Sequence, residues 1–252
     1  MTNIILSGCM GRMGKAITEI VAEAENAQIV CGFDTQEGNC GYPVYCDYAS
    51  LSIDADVIID FSHPSNLSHL LTFAKKNKLP VVMATTGLSP EQKAELLDAS
   101  REIPVFFSAN MSVGINLLIR LAKQAAKVLE ESFDIEIIEK HHNKKLDAPS
   151  GTALAIADGI KDALSEEPEY IYERQSVRRA RAKNEIGLHA VRGGTIVGEH
   201  DVLFAGPDEV ITLSHSAQSR AVFAQGAVRA ALFLKGKSAN LYSMDDLLKD
   251  LL

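Results

Sequence analysis

The sequence lacks the features that mark several common classes of protein. Its cysteines lie at positions 9, 31, 40 and 46, and no two of them form a CxxC pair. A cysteine-based metal site or a disulfide framework is therefore not expected, and the thiols are predicted to be ordinary buried or half-buried groups. No cysteine lies near the histidine- and lysine-rich segment 141–153, which excludes thiol catalysis there.

An excess of basic residues and long apolar runs are also missing. The formal net charge of −8 over 252 residues argues against a nucleic-acid partner. No apolar run approaches the roughly 18–20 residues that span a bilayer, so no membrane association is expected. Met1-Thr2-Asn3 leads directly into apolar residues without a secretory signal, and we expect a cytoplasmic protein.

The first half of the chain alternates short apolar runs with amphipathic stretches. Apolar residues make up 46% of the sequence, which is enough to build one large domain or two modest ones. Ser65 and Ser89 stand at predicted helix N-caps, and segment 39–52 is predicted to be loop with one short helix. Strands are predicted at 4–7, 28–33, 57–62, 81–84 and 105–108, and helices at 13–25, 66–77 and 90–101. Alternation of this kind predicts a Rossmann-like α/β domain whose parallel sheet is covered on both faces.

The second half has a different pattern, which predicts an α+β domain. Its polar and basic segment 165–184 has no clear periodicity. Helices are predicted at 113–131, 150–164, 219–234 and 244–251, and strands at 134–140, 186–192, 196–204 and 210–216. Because the last three strands follow one another without helices between them, a largely antiparallel or mixed sheet is expected.

A glycine-rich turn follows the first predicted strand. Gly8, Gly11 and Gly14 give the spacing GxxGxxG, in the strand–turn–helix context of a dinucleotide-binding fingerprint. Cys9 stands where the first glycine of GxGxxG would be, and that departure weakens the motif by itself. A structural turn without a ligand is the alternative.

Asp34 at the end of the second strand favours the dinucleotide interpretation. It lies 20 residues after Gly14, where a carboxylate can accept hydrogen bonds from the ribose hydroxyls of the cofactor. The same carboxylate would repel a 2′-phosphate, and Thr35 follows it without a nearby downstream cation. NADH is therefore predicted to be preferred over NADPH, although Arg12 could soften that preference.

Small polar residues follow two later strands of this half. The segments 84–87 and 108–111 read Ala-Thr-Thr-Gly and Ser-Ala-Asn-Met. Ligands of open parallel sheets bind at the carboxyl ends of the strands, so these side chains could contact a cofactor. Helix capping is the alternative for Thr86 and Asn110.

The segment 141–153 concentrates groups that bind anions and donate protons. His141, His142, Lys144 and Lys145 precede a Pro-Ser-Gly-Thr turn that opens a helix. Histidine and lysine can donate protons, and a helix start offers N–H groups to a carboxylate. Asp147 could hold a neighbouring lysine or imidazole in place. A solvated basic turn is the alternative, and metal binding is disfavoured because no further ligand has suitable spacing.

The order and content of these motifs resemble one family. Residues 139–153 (EKHHNKKLDAPSGTA) resemble the central motif of the 4-hydroxy-tetrahydrodipicolinate reductase (dihydrodipicolinate reductase) family. Further motifs match in the same order: the glycine turn, Ala84-Thr85-Thr86-Gly87, Asn110-x-Ser112-Val113-Gly114-x-Asn116 and Gly198-Glu199-His200. The resemblance covers essentially the whole chain.

The resemblance implies a specific activity. A hydride from NADH or NADPH would reduce 4-hydroxy-tetrahydrodipicolinate at C4 with loss of water, in lysine and diaminopimelate biosynthesis. No metal is implied. His141 would be the proton donor and acceptor and Lys145 a proton donor. A small dicarboxylate would be bound by His142, Ser150, Gly151 and Thr152.

The resemblance also implies a domain organisation. Residues 1–112 and 222–252 would bind the dinucleotide, and residues 113–221 would bind substrate and assemble a homotetramer. The residues lining the cofactor would be Gly8, Cys9, Met10, Gly11, Arg12, Met13, Asp34, Ala84, Thr85, Thr86, Ser108, Ala109, Asn110 and Met111.

Two other functions stay open at this point. A redox-sensing regulator would bind NAD(H) together with a partner, but no helix-turn-helix or interaction tail is evident in the sequence. A different NAD-dependent dehydrogenase of small acids would not need His-His-x-x-Lys before Ser-Gly-Thr. The basic segment 174–183 lacks the glycines expected from the family, and it is interpreted as a solvated loop.

Overall fold

The structure, a computed structural model, describes residues 1–48 and 54–251, with only the backbone of residue 251. The chain folds into two compact units, Met1–Val113 with Arg220–Leu252 and Gly114–Ser219. Among the described residues, none of the helices combines the length and the apolar character needed to cross a membrane.

The first unit is built on an eight-stranded sheet with the order β13-β7-β6-β5-β1-β2-β4-β3. All its paired strands are parallel except β3 and β4, which form an antiparallel pair. The strands are β1 Thr2–Ser7, β2 Ala27–Phe33, β3 Gly38–Asn39, β4 Pro43–Tyr45, β5 Val57–Asp60, β6 Val81–Met83, β7 Pro104–Phe107 and β13 Asn240–Tyr242. The Rossmann-like parallel sheet predicted from the sequence is confirmed.

Helices cover both faces of this sheet because the strand residues are apolar on both sides. The helices of this unit are α1 Arg12–Ala22, α2 Leu67–Asn77, α3 Pro90–Ala99, α6 Ala221–Leu234 and α7 Met244–Leu251. One face of the sheet buries Ile4, Leu6 and Phe106 together with α1 and α6, and the other buries Ile5 and Ile58 together with α2 and α3.

Two local predictions in this unit have different outcomes. The Ser89 side chain caps α3 and forms a capping box with Gln92, as its position predicts. Ser65 is not an N-cap, because a short 3-10 helix at Pro64–Asn66 precedes α2 and is capped by His63. In segment 39–52, β4 and the end of β3 replace part of the predicted loop, while residues 49–52 lie outside the described residues.

The second unit is a five-stranded sheet with helices α4 (Val113–Leu129) and α5 (Gly151–Lys161). The strands are β8 Asp134–His141, β9 Glu169–Ile171, β10 Glu185–Arg192, β11 Gly198–Ala205 and β12 Val210–Ala217. Their order in the sheet is β12-β11-β8-β10-β9. The alternation of β8 buries Ile135 and Ile137 on the face that packs with α4 and α5 residues.

The sheet of the second unit is mixed rather than largely antiparallel. β10 pairs in parallel with β8 and β9, whereas β11 pairs antiparallel with β8 and β12. The strands β10 and β11 are close in sequence but are not neighbours, because β8 lies between them. Sequence proximity therefore does not give the strand order of this sheet, and no sequence signal marked the short strand β9 in segment 165–184.

Candidate active site

In the glycine turn between β1 and α1, segments of the backbone pack closely against one another. Gly8 has φ of 77°, and a Cβ there would lie 2.5 Å from the carbonyl oxygen of Phe61. A Cβ on Gly14 would lie 2.4 Å from the carbonyl oxygen of Cys9. Gly11 is the N-cap of α1 and supplies no side-chain cap to its first N–H groups. These groups and the helix dipole suit an anionic ligand such as a pyrophosphate.

Cys9 replaces a fingerprint glycine without filling the ligand side of the turn. Its side chain is buried, and a Cβ on Gly32 would lie 2.5 Å from its Sγ. Glycine at position 32 of β2 therefore makes room for the thiol. Burial raises the pKa of Cys9 to about 12, so the thiol stays neutral and is a poor nucleophile.

Asp34 is held beside the same turn. Its Oδ2 accepts the N–H of Met10 at 2.8 Å, and its Oδ1 accepts the N–H of Thr35 at 2.8 Å. The carboxylate therefore has a fixed position at the end of β2. Arg12 and Met10 are exposed and Met13 is half-buried.

A cavity of about 520 Å³ opens along the turn and Asp34. Of the residues predicted to bind cofactor, it is lined by Gly8, Gly11 and Asp34. None of its other lining residues was predicted to bind cofactor; they include Phe33, Tyr48, Phe61, Ser62, His63, Asn66 and His69. Phe33 ends β2 and residues 61–63 follow β5, so for these residues the position at the carboxyl ends of parallel strands was the available signal.

The ends of β5 and β6 are joined by a buried carboxyl group. Asp60 is 2% exposed, and its carboxyl oxygens lie 2.6 Å from Ser62 Oγ and 2.5 Å from Thr85 Oγ1. Burial raises the pKa of Asp60, while hydrogen bonds from Ser62 and Thr85 act in the opposite direction. Asp60 therefore orients Thr85. Ala84 is also buried, whereas Thr86 is exposed.

The segment after β7 is ordered by its own polar side chains and by α6. Ser108 Oγ donates to the carbonyl of Asn110 at 2.7 Å, and Asn110 Oδ1 accepts the N–H of Ser112 at 2.9 Å. Met111 is buried, and a Cβ on Gly226 of α6 would lie 1.6 Å from its carbonyl oxygen. The helix can approach Met111 this closely only because residue 226 is glycine. Ala109 is exposed.

In the second unit, a buried carboxylate organises the 141–153 segment. Glu139 has no exposed side-chain surface and accepts four hydrogen bonds. Its Oε2 lies 2.6 Å from Nδ1 of His141, and its Oε1 accepts the N–H of Ser150 at 2.9 Å. Arg192 donates to both oxygens at 2.7 Å. Burial raises the pKa of Glu139, but hydrogen bonds from Arg192 and His141 outweigh that effect and leave it below its ordinary value.

Two further contacts hold His141 and the start of α5. The His141 ring meets the His200 ring edge-on, with 5.2 Å between centroids. Ser150 caps α5 by accepting the N–H of Ala153, and its Oγ lies 3.1 Å from Nε2 of His200. Ser150, which we predicted to bind substrate, therefore has both its N–H and its hydroxyl engaged by protein groups.

The remaining groups of the segment surround the open start of α5. Lys145 Nζ pairs with Asp147 at 2.9 Å, as the sequence predicted for a neighbouring lysine, and Arg192 donates to the carbonyl of Asp147 at 2.7 Å. A Cβ on Gly151 would have no neighbour within 4 Å. Nδ1 of His142 is buried and has no hydrogen-bond partner in residues 1–48 and 54–251. Thr152 follows Gly151 in the first turn of α5.

Glu139, Arg192 and His200 are site residues whose role the sequence reasoning missed. A signal for Glu139 was present, because the alternation of β8 places it on the apolar face, where a carboxylate requires partners. Arg192 had no local signal. It meets His141 only through the parallel pairing of β8 and β10.

The basic segment 174–183 is a loop, as predicted, and its residues 174–180 are exposed, but it is also held by ion pairs. Arg174 pairs with Glu136 at 2.7 Å and with Glu185 at 2.5 Å. Arg181 pairs with Glu136 at 3.0 Å and with Asp134 at 2.9 Å. These ion pairs hold the segment against the first residues of β8 and β10. The sequence showed the positive charges, but the carboxylates that pair with them are distant along the chain.

A glycine turn on a doubly covered parallel sheet, with a histidine–lysine site on a second unit, defines an oxidoreductase of the Rossmann type. Comparison with known proteins gives the family. The family described as "Dihydrodipicolinate reductase, N-terminus" matches residues 2–111, and "Dihydrodipicolinate reductase, C-terminus" matches residues 114–248. The chain belongs to the dihydrodipicolinate reductase family.

Similar proteins match over nearly their full lengths. The chain is 56% identical over 249 residues to a 4-hydroxy-tetrahydrodipicolinate reductase of Caldanaerobacter subterraneus, covering 99% of both chains. It is 49% identical over 250 residues to one of Clostridium novyi, again covering 99% of both. A solved dipicolinate-bound dihydrodipicolinate reductase from Paenisporosarcina has a TM-score of 0.81 at 24% identity, covering 96% of this chain and 97% of that one. At this identity, the structural likeness shows the fold.

Proposed function

We propose that this protein reduces 4-hydroxy-tetrahydrodipicolinate to tetrahydrodipicolinate, a step of lysine and diaminopimelate biosynthesis. Its relatives over 99% of the chain carry the name of that reductase. The observation that carries the proposal is the grouping of His141, Lys145 and the open start of α5 within one segment. This grouping provides proton donors and N–H groups for a small dicarboxylate.

The cofactor is a reduced nicotinamide dinucleotide, and the first unit fits it. The uncapped start of α1 suits the pyrophosphate, and the fixed carboxylate of Asp34 suits the ribose hydroxyls. A cavity of about 520 Å³ extends along both features. Because Asp34 would repel a 2′-phosphate, NADH is the preferred cofactor and NADPH the second. When bound, the nicotinamide supplies a hydride.

The second unit binds substrate and handles protons. His141 donates and accepts a proton, and Lys145 donates one, which neutralises the negative charge that hydride addition builds on the substrate. Gly151 and Thr152, in the first turn of α5, bind a substrate carboxylate. The unpartnered Nδ1 of His142 supports a role in substrate binding, because a buried polar atom requires a partner. Ser150 contributes by holding the helix start.

We also propose that the first unit is the dinucleotide-binding domain and that the second assembles a homotetramer. One face of the second sheet packs with α4 and α5 residues, whereas the other has half-buried Ile138 on β8 and exposed Thr212 and Ser214 on β12. The exposed part of this face, on β12, suits an isologous contact. Light scattering on the purified protein is expected to give four times the mass of the chain, and a monomer would refute this assembly.

A coupled assay tests the activity. The purified protein, mixed with NADH and the product of dihydrodipicolinate synthase, is expected to consume NADH. His141→Ala should lower kcat by about 10²-fold or more with little change in the Kd of NADH. Absence of turnover with either reduced nicotinamide cofactor would refute the function. Wild-type kcat in His141→Ala would refute the proposed role of His141.

A further inference from the structure

Glu139 lies on the buried face of β8, where the alternation of the strand predicts an apolar residue. The preceding residues on the same face of β8 are Ile135 and Ile137, both buried in the core of the second unit. An apolar side chain at position 139 would continue this pattern without the cost of burying a charge. The four hydrogen bonds of Glu139 all go to His141, Ser150 and Arg192, which belong to the candidate site or border it.

We propose that Glu139 and Arg192 are positioning residues, which fix the tautomer and orientation of His141 and join it to the start of α5. This inference rests on the proposed role of His141. Neither residue needs to contact substrate or cofactor for this purpose.

The tautomer follows from the charges of the partners. Because an ionised carboxylate can only accept hydrogen bonds, the proton between Glu139 and His141 belongs to Nδ1 of the imidazole. Nε2 is then the ring nitrogen that exchanges a proton with a ligand. It lies beside Gly198, where an added Cβ would come within 3.1 Å of it. A side chain at position 198 would therefore crowd this nitrogen.

Arg192 makes the buried carboxylate stable. A buried carboxylate without a counter-charge would be strongly disfavoured, and the two 2.7 Å bonds from Arg192 form the bidentate geometry that suits this pair best. The same guanidinium donates to the carbonyl of Asp147, whose carboxylate pairs with Lys145. One ion pair thus connects His141, the start of α5 and the lysine-bearing loop.

Glu139→Gln tests the inference because all four hydrogen bonds of the carboxylate come from donor groups. In Gln, an amide nitrogen, which is itself a donor, replaces one of the carboxylate oxygens. At the Oε2 position, this nitrogen can donate to Nδ1 only if His141 transfers its proton to Nε2. ¹⁵N NMR of histidine-labelled protein, with the signal assigned by His141→Ala, is expected to show the Nδ1–H tautomer in the wild type. In Glu139→Gln, it should show the Nε2–H tautomer.

The kinetic expectations are equally specific. Glu139→Gln should lower kcat by about 10²-fold or more; loss of the orienting carboxylate of a catalytic triad lowers kcat by about 10⁴-fold. The Kd of NADH should change less than twofold. Glu139→Asp keeps a carboxylate and should retain the Nδ1–H tautomer and more of the wild-type kcat.

Glu185→Gln is the matched control. Glu185 also has no exposed side-chain surface and also pairs with arginines, but its partners are Arg174 and Arg179. We expect this variant to lose stability while keeping the wild-type kcat and the His141 tautomer. If Glu185→Gln lost as much kcat as Glu139→Gln, general destabilisation would explain both losses, and the inference would be overturned.

The remaining outcomes separate this inference from the proposed function. Wild-type kcat and an unchanged tautomer in Glu139→Gln, with His141→Ala impaired, would overturn the positioning role alone. Full activity of His141→Ala would overturn the positioning role together with the proposed role of His141, whereas the function itself would be overturned only by absence of turnover. Arg192→Lys keeps the charge but loses the bidentate geometry, and we expect kcat to fall about 10-fold or more. Wild-type kcat in this variant would remove Arg192 from the positioning pair.

Discussion

Ser150 Oγ lies 3.1 Å from Nε2 of His200, and this contact joins the cap of α5 to a histidine that is 4% exposed. Burial and the neighbouring His141 lower the pKa of His200 from its ordinary 6.5 to about 4. The folded state therefore keeps this imidazole neutral under conditions that protonate it in the unfolded chain.

The His200 contribution to stability should depend on pH. It is fully present above about pH 6.5 and is lost progressively as the pH falls towards 4, because protons then bind the unfolded state preferentially. The loss should reach about 3 kcal/mol at the acidic end. Urea unfolding at neutral pH and at about pH 5 measures it. His200→Gln should show a smaller dependence, and an identical slope would contradict the assignment.

Asp34 should determine the cofactor preference through both its charge and its hydrogen bonds. Asp34→Ala is expected to raise the KM for NADH by about 10- to 100-fold, the value of a hydrogen bond to a charged group. Asp34→Asn keeps an acceptor oxygen while removing the charge, so it should mainly lower the KM for NADPH. Parallel titrations with the two cofactors measure both effects. If the wild type binds both cofactors equally, Asp34 does not dictate the choice.

Gly226→Ala should be among the most destabilising alanine substitutions in the first unit. The new Cβ would lie 1.6 Å from the carbonyl oxygen of Met111, and backbone cannot yield as a side chain does. We expect a loss of about 3 kcal/mol or more in the free energy of unfolding, measured by urea titration. Gly38→Ala is the control, since its nearest neighbour would be Met10 Cε at 3.7 Å. Equal stability of the two variants would contradict the close approach of α6.

Arg181→Met should loosen the attachment of segment 174–183. The guanidinium pairs with Asp134 and Glu136 and donates to the carbonyl of Ile135 at 3.2 Å. Its removal takes one donor from the Ile135 carbonyl and one basic partner each from Asp134 and Glu136. Because Asp134 keeps Lys183 and Glu136 keeps Arg174, the loss should be about 1–3 kcal/mol of unfolding free energy. The kcat should not change.

Arg178→Met is the control for this prediction. Arg178 is exposed and forms no ion pair within the described part of the chain. Its replacement should change stability by less than about 0.5 kcal/mol. If both arginine variants unfolded at the same urea concentration, the ion pairs of Arg181 would contribute nothing to the free energy of unfolding.

The sequence predicted those features that depend on neighbouring residues. The alternation of β8, the Ser89 cap and the glycine turn each depend on a short stretch of residues, whose spacing alone indicates the local structure. It did not reveal the pairing of Glu139 with Arg192, because their contact depends on the insertion of β8 beside β10. It also did not show how Gly32 accommodates Cys9, which requires knowledge of the space beneath the turn.

The core of the first unit has a consequence for the order in which the chain can fold during synthesis. Ala224, Ala227 and Leu234 of α6 are fully buried against the sheet, and β13 pairs with β7. Residues 1–113 therefore leave the ribosome without the helix that seals one face of their sheet. Gly114–Ser219 is one continuous stretch and can complete its core earlier. The core of the N-terminal half, although this half is made first, cannot be completed until residues 221–251 have been synthesised. A chain stalled before these residues would expose an apolar sheet.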